Sequence, residues 1–171
     1  SSALSSKHSL VRRHAMMALG AADQTVIAEL PKILHIPMVP RELLQVLTIV
    51  AETTPNQPIA AALWKAVCGN VEMDDTLRDA ARLAMRRQAV SLLSSDLVGF
   101  DEKSWAGKEV IEVISRVAAG PNRPALTTLG ASAPAPLRSR IEKALAADPA
   151  KNPQSATLPA HLVAGRDLYL K

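Results

Sequence analysis

Residues 10–19 read Leu10-Val11-Arg12-Arg13-His14-Ala15-Met16-Met17-Ala18-Leu19, and residues 76–85 read Thr76-Leu77-Arg78-Asp79-Ala80-Ala81-Arg82-Leu83-Ala84-Met85. At this separation of 66 residues, Arg12, Ala15 and Ala18 fall on Arg78, Ala81 and Ala84. Half that step places Leu10 and Val11 on Leu43 and Leu44, and Ala18 on Ala51. A third step reaches Val110, Ile114 and Val117, and a weaker echo follows at Leu137 to Leu145. A repeat of this length is the signature of helix-pair units, because one pair cannot bury its apolar stripe alone and a stack of pairs can.

Outward from these stretches, apolar residues recur at spacings of three and four, with Pro, Gly, Asn and Asp between the blocks. The spacing predicts helices over 8–19, 23–35, 40–53, 57–68, 74–93, 101–119, 122–130 and 136–147. No stretch alternates with a period of two, so the fold class expected is all-α. Asp23, Asp74 and Asp101 are placed to accept bonds from free amides as N-caps. Gly20, Gly69 and Gly120 suit left-handed helix ends, and Pro40 and Pro58 suit first turns. Pro31 lacks the amide that would bond the preceding turn, so the second helix is expected to kink or split there.

The stretch Leu-Val-Arg-x-x-Ala-x-x-Ala-Leu-Gly at residues 10–20, and Leu77-Arg78-x-x-Ala81-x-x-Ala84, resemble the first helix of short HEAT-like repeats. The resemblance covers roughly residues 8–147. It implies an α-α superhelix, a short right-handed solenoid of antiparallel helix pairs, over 1–148. Val11, Ala15, Ala18, Leu44, Leu47, Ala81 and Ala84 would then lie in its core.

Composition agrees with helices. Apolar residues make up 48% of the 171, yet only Trp64, Phe100, Trp105 and Tyr169 are aromatic, so a core must be built from aliphatic side chains and Met. Cys68 is the single cysteine, which excludes an internal disulfide and a multi-cysteine metal site; its apolar neighbours make it a core residue by expectation. The longest apolar run, Leu43 to Ala51, is far shorter than the roughly 18 residues of a membrane span. The chain opens Ser1-Ser2-Ala3-Leu4 with neither an initiator Met nor a signal peptide, so it reads as a segment of a longer protein.

Catalytic, cofactor and metal residues are not expected. His8, His14, His35 and His161 show no pair at the four-residue spacing of a helical metal site. Asp74-Asp75 and Asp101-Glu102 open helices, where carboxylates complement the dipole. Gly-rich phosphate loops and nucleophile elbows are missing from the sequence. The one candidate binding surface is Arg78, Arg82, Arg86 and Arg87, a basic stripe along one helix. With a net charge of +4 it keeps nucleic acid as the alternative partner to a protein or a neighbouring domain. Asp75 and Asp79, each three residues upstream of an Arg, would neutralise half of it.

Residues 149–161 lose periodicity and gain prolines, which predicts a linker. The following Leu162-Val163-Ala164-Gly165-Arg166-Asp167-Leu168-Tyr169-Leu170-Lys171 resembles the first helix of a c-type cytochrome domain, with Gly165, Leu168 and Tyr169 on its Gly-x-x-Leu-Tyr segment. The resemblance implies that 162–171 opens a domain cut before its haem motif. It further implies a multidomain bacterial protein, periplasmic or secreted, in which haem c would belong to the full-length chain.

The apolar centre of the third helix gives the test of this reading. Leu47→Asp places an unpaired charge in the expected core, and urea denaturation should report a loss of several kcal/mol. A loss below about 1 kcal/mol, the range of ordinary surface changes, would mean that the helix faces solvent there.

Overall fold

A computed structural model describes residues 3–20, 22–69, 73–133 and 135–147. These residues hold a 3-10 turn (Ala3–Ser5) and nine α-helices, with no strand among them. The helices are α1 (Ser9–Leu19), α2 (Gln24–Ile33), α3 (Pro40–Glu52), α4 (Gln57–Gly69), α5 (Asp75–Arg87), α6 (Ala89–Leu93), α7 (Trp105–Ala119), α8 (Arg123–Ser132) and α9 (Ala135–Ala146). The expected all-α class is what the structure has. The linker at 149–161 and the tail at 162–171 lie outside the described residues.

Helix ends follow side-chain chemistry. Asp23 accepts from the Thr25 and Val26 amides and so caps α2, and the Thr25 amide bond foremost holds its carboxyl below the usual carboxylate range. Asp74 caps α5 through the Leu77 amide. Pro40 and Pro58 open α3 and α4 as expected. Gly20 ends α1 at φ 83°, whereas Gly69 and Gly120 keep negative φ and need no left-handed turn.

Three expectations are corrected. The helix foreseen over 74–93 breaks into α5 and α6 at Gln88. The helix foreseen from Asp101 begins at Trp105, capped by Ser104 Oγ, which accepts from the Gly107 amide at 2.9 Å. Asp101 instead organises the turn before it: its carbonyl accepts the Ser104 hydroxyl, and it sits so close to α7 that a Cβ on Gly107 would come within 1.9 Å of it. Finally, of the kink or split expected at Pro31 the split does not occur: α2 runs through Pro31 and ends at Ile33, two residues short of the expected end. Only the last turn of α2 lies beyond the proline, and the Pro31 carbonyl accepts from His35 Nδ1 at 2.6 Å.

The chain forms two compact units, Ser1–Ile114 and Ser115–Lys171. In the first, α1 approaches α3 and α3 approaches α5, while α2 approaches α4 and α4 approaches α6, so odd and even helices form two rows, joined where α4 meets α5. Their core is aliphatic: Val26, Leu30, Val46, Leu47, Val50, Ala60, Leu63 and Met85 are buried around Trp64, whose indole N–H donates to the Val98 carbonyl at 2.9 Å. In the second unit α8 packs on α9, where a Cβ on Gly130 would stand 3.1 Å from Ile141 Cγ2. Arg123 donates to the Ala118 and Leu145 carbonyls and ties two helix ends together.

Burial corrects the register of the repeat. Leu47, Ala81 and Ala84 are buried and Leu44 is half-buried, but Ala15 is only half-buried and Val11 and Ala18 are exposed. α1 buries Arg12 and Met16 in their place. A step of 35 residues aligns the buried residues of α5 with buried residues of α3, Glu42 with Leu77, Val46 with Ala81, Ile49 with Ala84, Val50 with Met85 and Thr53 with Gln88, while the buried Leu43 and Leu47 fall on the half-exposed Arg78 and Arg82. The same step places Arg12 on Leu47 and then on Arg82, one helical turn beyond Arg78. Arg12 reaches Glu42 on α3, 30 residues on, and Arg82 reaches Glu109 on α7, 27 residues on, so the two pairs are similar without keeping the step.

The first of these latches is buried. Arg12 Nε and Nη2 donate to Glu42 Oε1 and Oε2 at 2.5 and 2.8 Å, Nη1 donates to the Ser6 carbonyl at 2.5 Å, and the two side chains are 2% and 0% exposed. Removing one partner strands the other charge, so Arg12→Met should cost about 3–5 kcal/mol in urea denaturation. The double variant Arg12→Met/Glu42→Leu should recover most of that loss, because an apolar pair has no stranded charge. Equal losses in the single and double variants would show that packing, not charge, is what Arg12 provides.

Candidate binding surface

The sequence-predicted stripe lies on α5, and its four cations diverge. Arg82 Nε donates to Glu109 Oε1 at 2.9 Å on α7, and Nη1 pairs with Asp79 one turn back at 2.5 Å. The Glu109 bond is the chief cause that raises the Arg82 pKa further and fixes its charge. Arg87 turns the other way, and its Nε donates to the Thr53 carbonyl at 2.9 Å at the end of α3. Arg78 is half-exposed, with Asp75 at 3.7 Å. Arg86 is half-buried, and its Nε has no hydrogen-bond partner among the described residues.

These contacts neutralise much of the stripe, as the upstream Asp75 and Asp79 suggest, and add two partners that sequence spacing cannot show. Glu109 and the Thr53 carbonyl come from other helices. They use Arg82 and Arg87 to tie neighbouring elements, leaving Arg78 and Arg86 as the cations of α5 with most capacity for a ligand.

Arg78 also borders a cavity of about 420 Å³ lined by Val67, Cys68, Met73, Asp101, Trp105 and neighbours. Its wall is apolar on the Val67, Met73 and Trp105 side, and Arg78 and Asp101 carry opposite charges. Such a site suits an uncharged or zwitterionic group better than a phosphate chain. The sequence singled out Arg78 but not Trp105 or Met73, because nothing in their local pattern sets them apart from core residues. Two shallower grooves lie elsewhere on the unit: one of about 390 Å³ beside His35, Met38 and Lys65, and one of about 350 Å³ between Thr48, Glu52, Ala80 and Leu83.

Cys68 departs from expectation in location: it is exposed at the end of α4. Its thiol still stands against enough protein that desolvation pushes its pKa up to about 11. Among the described residues, no group of three or more His, Cys, Asp or Glu side chains is arranged to hold a metal ion. No helix of the described residues is long and apolar enough to cross a membrane.

These residues thus define an all-helical protein with paired rows of helices and arginine latches between them. No protein-family model, curated protein or solved structure matches the chain.

The raised thiol pKa has a measurable consequence. The thiolate is the nucleophile, so a pKa near 11 leaves the group protonated at neutral pH. Iodoacetamide at pH 7.5 should label Cys68 roughly tenfold more slowly than free cysteine, the lower thiolate fraction being partly offset by greater intrinsic nucleophilicity. The rate should climb steadily to about pH 11; a plateau near pH 8 would contradict the desolvated environment.

Proposed function

We propose that this chain is a non-catalytic helical-repeat scaffold of HEAT type, a short solenoid segment that binds a protein or a neighbouring domain. The observation that carries this reading is the recurrence of a burial pattern at a step of 35 residues along α3 and α5, with α3 against α5 and α4 against α6. Repetition of this kind makes extended ridged surfaces rather than one enclosed pocket, and ridged surfaces suit macromolecular partners. The latches Arg12–Glu42 and Arg82–Glu109 support it, since each joins helices that are not neighbours in the chain, α1 to α3 and α5 to α7.

Within this reading the chain belongs to a larger multidomain bacterial protein, and a c-type haem domain follows it in the periplasm. Support for that part comes from Gly165, Leu168 and Tyr169 alone. Haem c would be held by residues beyond this chain.

A second reading, a nucleic-acid binder, is favoured by the net charge of +4 and by the uncommitted guanidinium of Arg86. A gel shift with a 30-base-pair duplex and a matching single strand separates the two. The scaffold reading expects affinity weaker than about 10 μM at 150 mM salt and little change in Arg86→Ala/Arg87→Ala. Submicromolar, steeply salt-dependent binding that this double variant abolishes would replace it with the second reading.

A further inference from the structure

α1 exposes an apolar face. Leu10 and Val11 are 61% and 43% exposed, Met17 is 65% exposed, and Ala18 is open as well. With His14 they stand at i, i+1, i+4, i+7 and i+8, which is one continuous helical stripe about 100° wide.

The step of 35 residues says what this stripe corresponds to. Leu10, Val11, His14 and Ala18 fall on Gln45, Val46, Ile49 and the C-cap Thr53 of α3, and on Ala80, Ala81, Ala84 and the C-cap Gln88 of α5; Met17 falls on the exposed Glu52 and Arg87. Gln45 donates to the Arg13 carbonyl of α1, and Ala80 and Leu83 border α3 side chains across a groove. Val46, Ile49, Thr53, Ala81, Ala84 and Gln88 are all buried. On α3 this side reaches back to α1 through Glu42 and Gln45, and at the end of α5 Gln88 reaches back to the end of α3, whereas on α1 it is exposed.

Charge distinguishes the occupants. The same step places Lys7, in the turn entering α1, on Glu42, the residue with which α3 takes Arg12 of its predecessor. Lys7, His8 and His14 are exposed. From Ala3 to Gly20 the sequence contains no Asp or Glu. A helix docking there in the manner of α1 on α3 therefore needs a carboxylate where α1 carries an arginine. The protein's own latching helices offer Arg12 and Arg82 at that position, so a second copy would set cation against cation. An anionic lipid surface would be drawn to the same charges, but the stripe matches faces that accept helices elsewhere in the row.

We propose that the Leu10–Val11–His14–Ala18 face of α1, edged by Lys7, is a docking surface for an amphipathic helix with acidic flanks on a partner protein. The proposal rests on the scaffold reading and names the surface and the chemistry it takes.

Fluorescence anisotropy tests it with a defined probe. This is a labelled, acetylated 15-residue helical peptide with leucines at i, i+3, i+4 and i+7 and glutamates beside them; its twin carries lysines for the glutamates. The full chain should bind the acidic peptide at least tenfold more tightly than the twin. Val11→Glu and Leu10→Glu, both at exposed positions, should each weaken acidic-peptide binding by tenfold or more while leaving the thermal melt unchanged. Lys7→Glu should reverse the preference towards the lysine twin. Equal binding of both peptides, no binding of either, or indifference to Val11→Glu and Lys7→Glu would overturn the proposal. So would a dimer in sedimentation that Val11→Glu abolishes, or binding to phosphatidylglycerol vesicles that the acidic peptide fails to displace. Failure here with weak DNA binding removes only the α1 assignment, whereas submicromolar DNA binding removes the scaffold reading itself.

Discussion

The structure of the N-terminal unit depends on a single guanidinium. Arg12 is buried at 2% exposure and spends three N–H groups on Glu42 and the Ser6 carbonyl, so one side chain joins the entering turn, α1 and α3. Burying both charges has a desolvation cost of several kcal/mol per ion before their attraction is counted, so the pair adds little net stability over an apolar alternative. Its effect is on geometry. Sliding α1 by one turn along α3 would leave Glu42 inside without a counter-charge, and the bidentate fork accepts only one orientation. The ion pair thus excludes the neighbouring registers that Ala- and Met-rich surfaces would otherwise tolerate.

Further along the row, neutral hydrogen bonds do the same work. Gln88 is fully buried; its Oε1 accepts from the Asn56 amide at 2.8 Å while Nε2 faces the Val50 and Thr54 carbonyls and the Thr53 hydroxyl at 3.3–3.4 Å. The Arg87 bond to the Thr53 carbonyl lies beside it. A helix end leaves its last carbonyls without intrahelical partners, and these two side chains supply the donors for α3. That demand explains why α5 and α6 do not continue as one helix: Gln88 sits at the break with φ −89° and ψ 13°, serving the end of another helix.

Much of this was legible in the sequence. Helix positions followed from apolar spacing and caps, and Asp23, Asp74 and Pro40 act as their chemistry requires. The register was not legible, and the reason is specific. Ala15 and Ala18 resemble Ala81 and Ala84 because small residues recur throughout this chain, so the best local match at 66 residues aligned composition and not faces. A step of 35 becomes visible only through which positions of α3 and α5 are buried, and burial depends on partners from other helices. The basic stripe shows the same boundary. Four-residue spacing correctly put Arg78, Arg82 and Arg86 on one helix, but it could not show that Arg82 leans towards α7 while Arg87 leans towards α3.

The latch and the open face of α1 are mechanically one feature. α1 buries only Arg12 and Met16 from its own sequence, so little apolar area holds it and the ion pair sets where it docks. A short helix of this kind, with basic side chains and no carboxylate near its positive N-terminal end, has little intrinsic stability. Anything that covers Leu10 and Val11 can bind only while α1 is docked, so its binding free energy adds to that of the docked state. Conversely, weakening Arg12–Glu42 lowers affinity at that face without touching it, because the competent conformation becomes less populated. The pair that sets the register of the first two odd helices also governs how well the outer face of the first is presented.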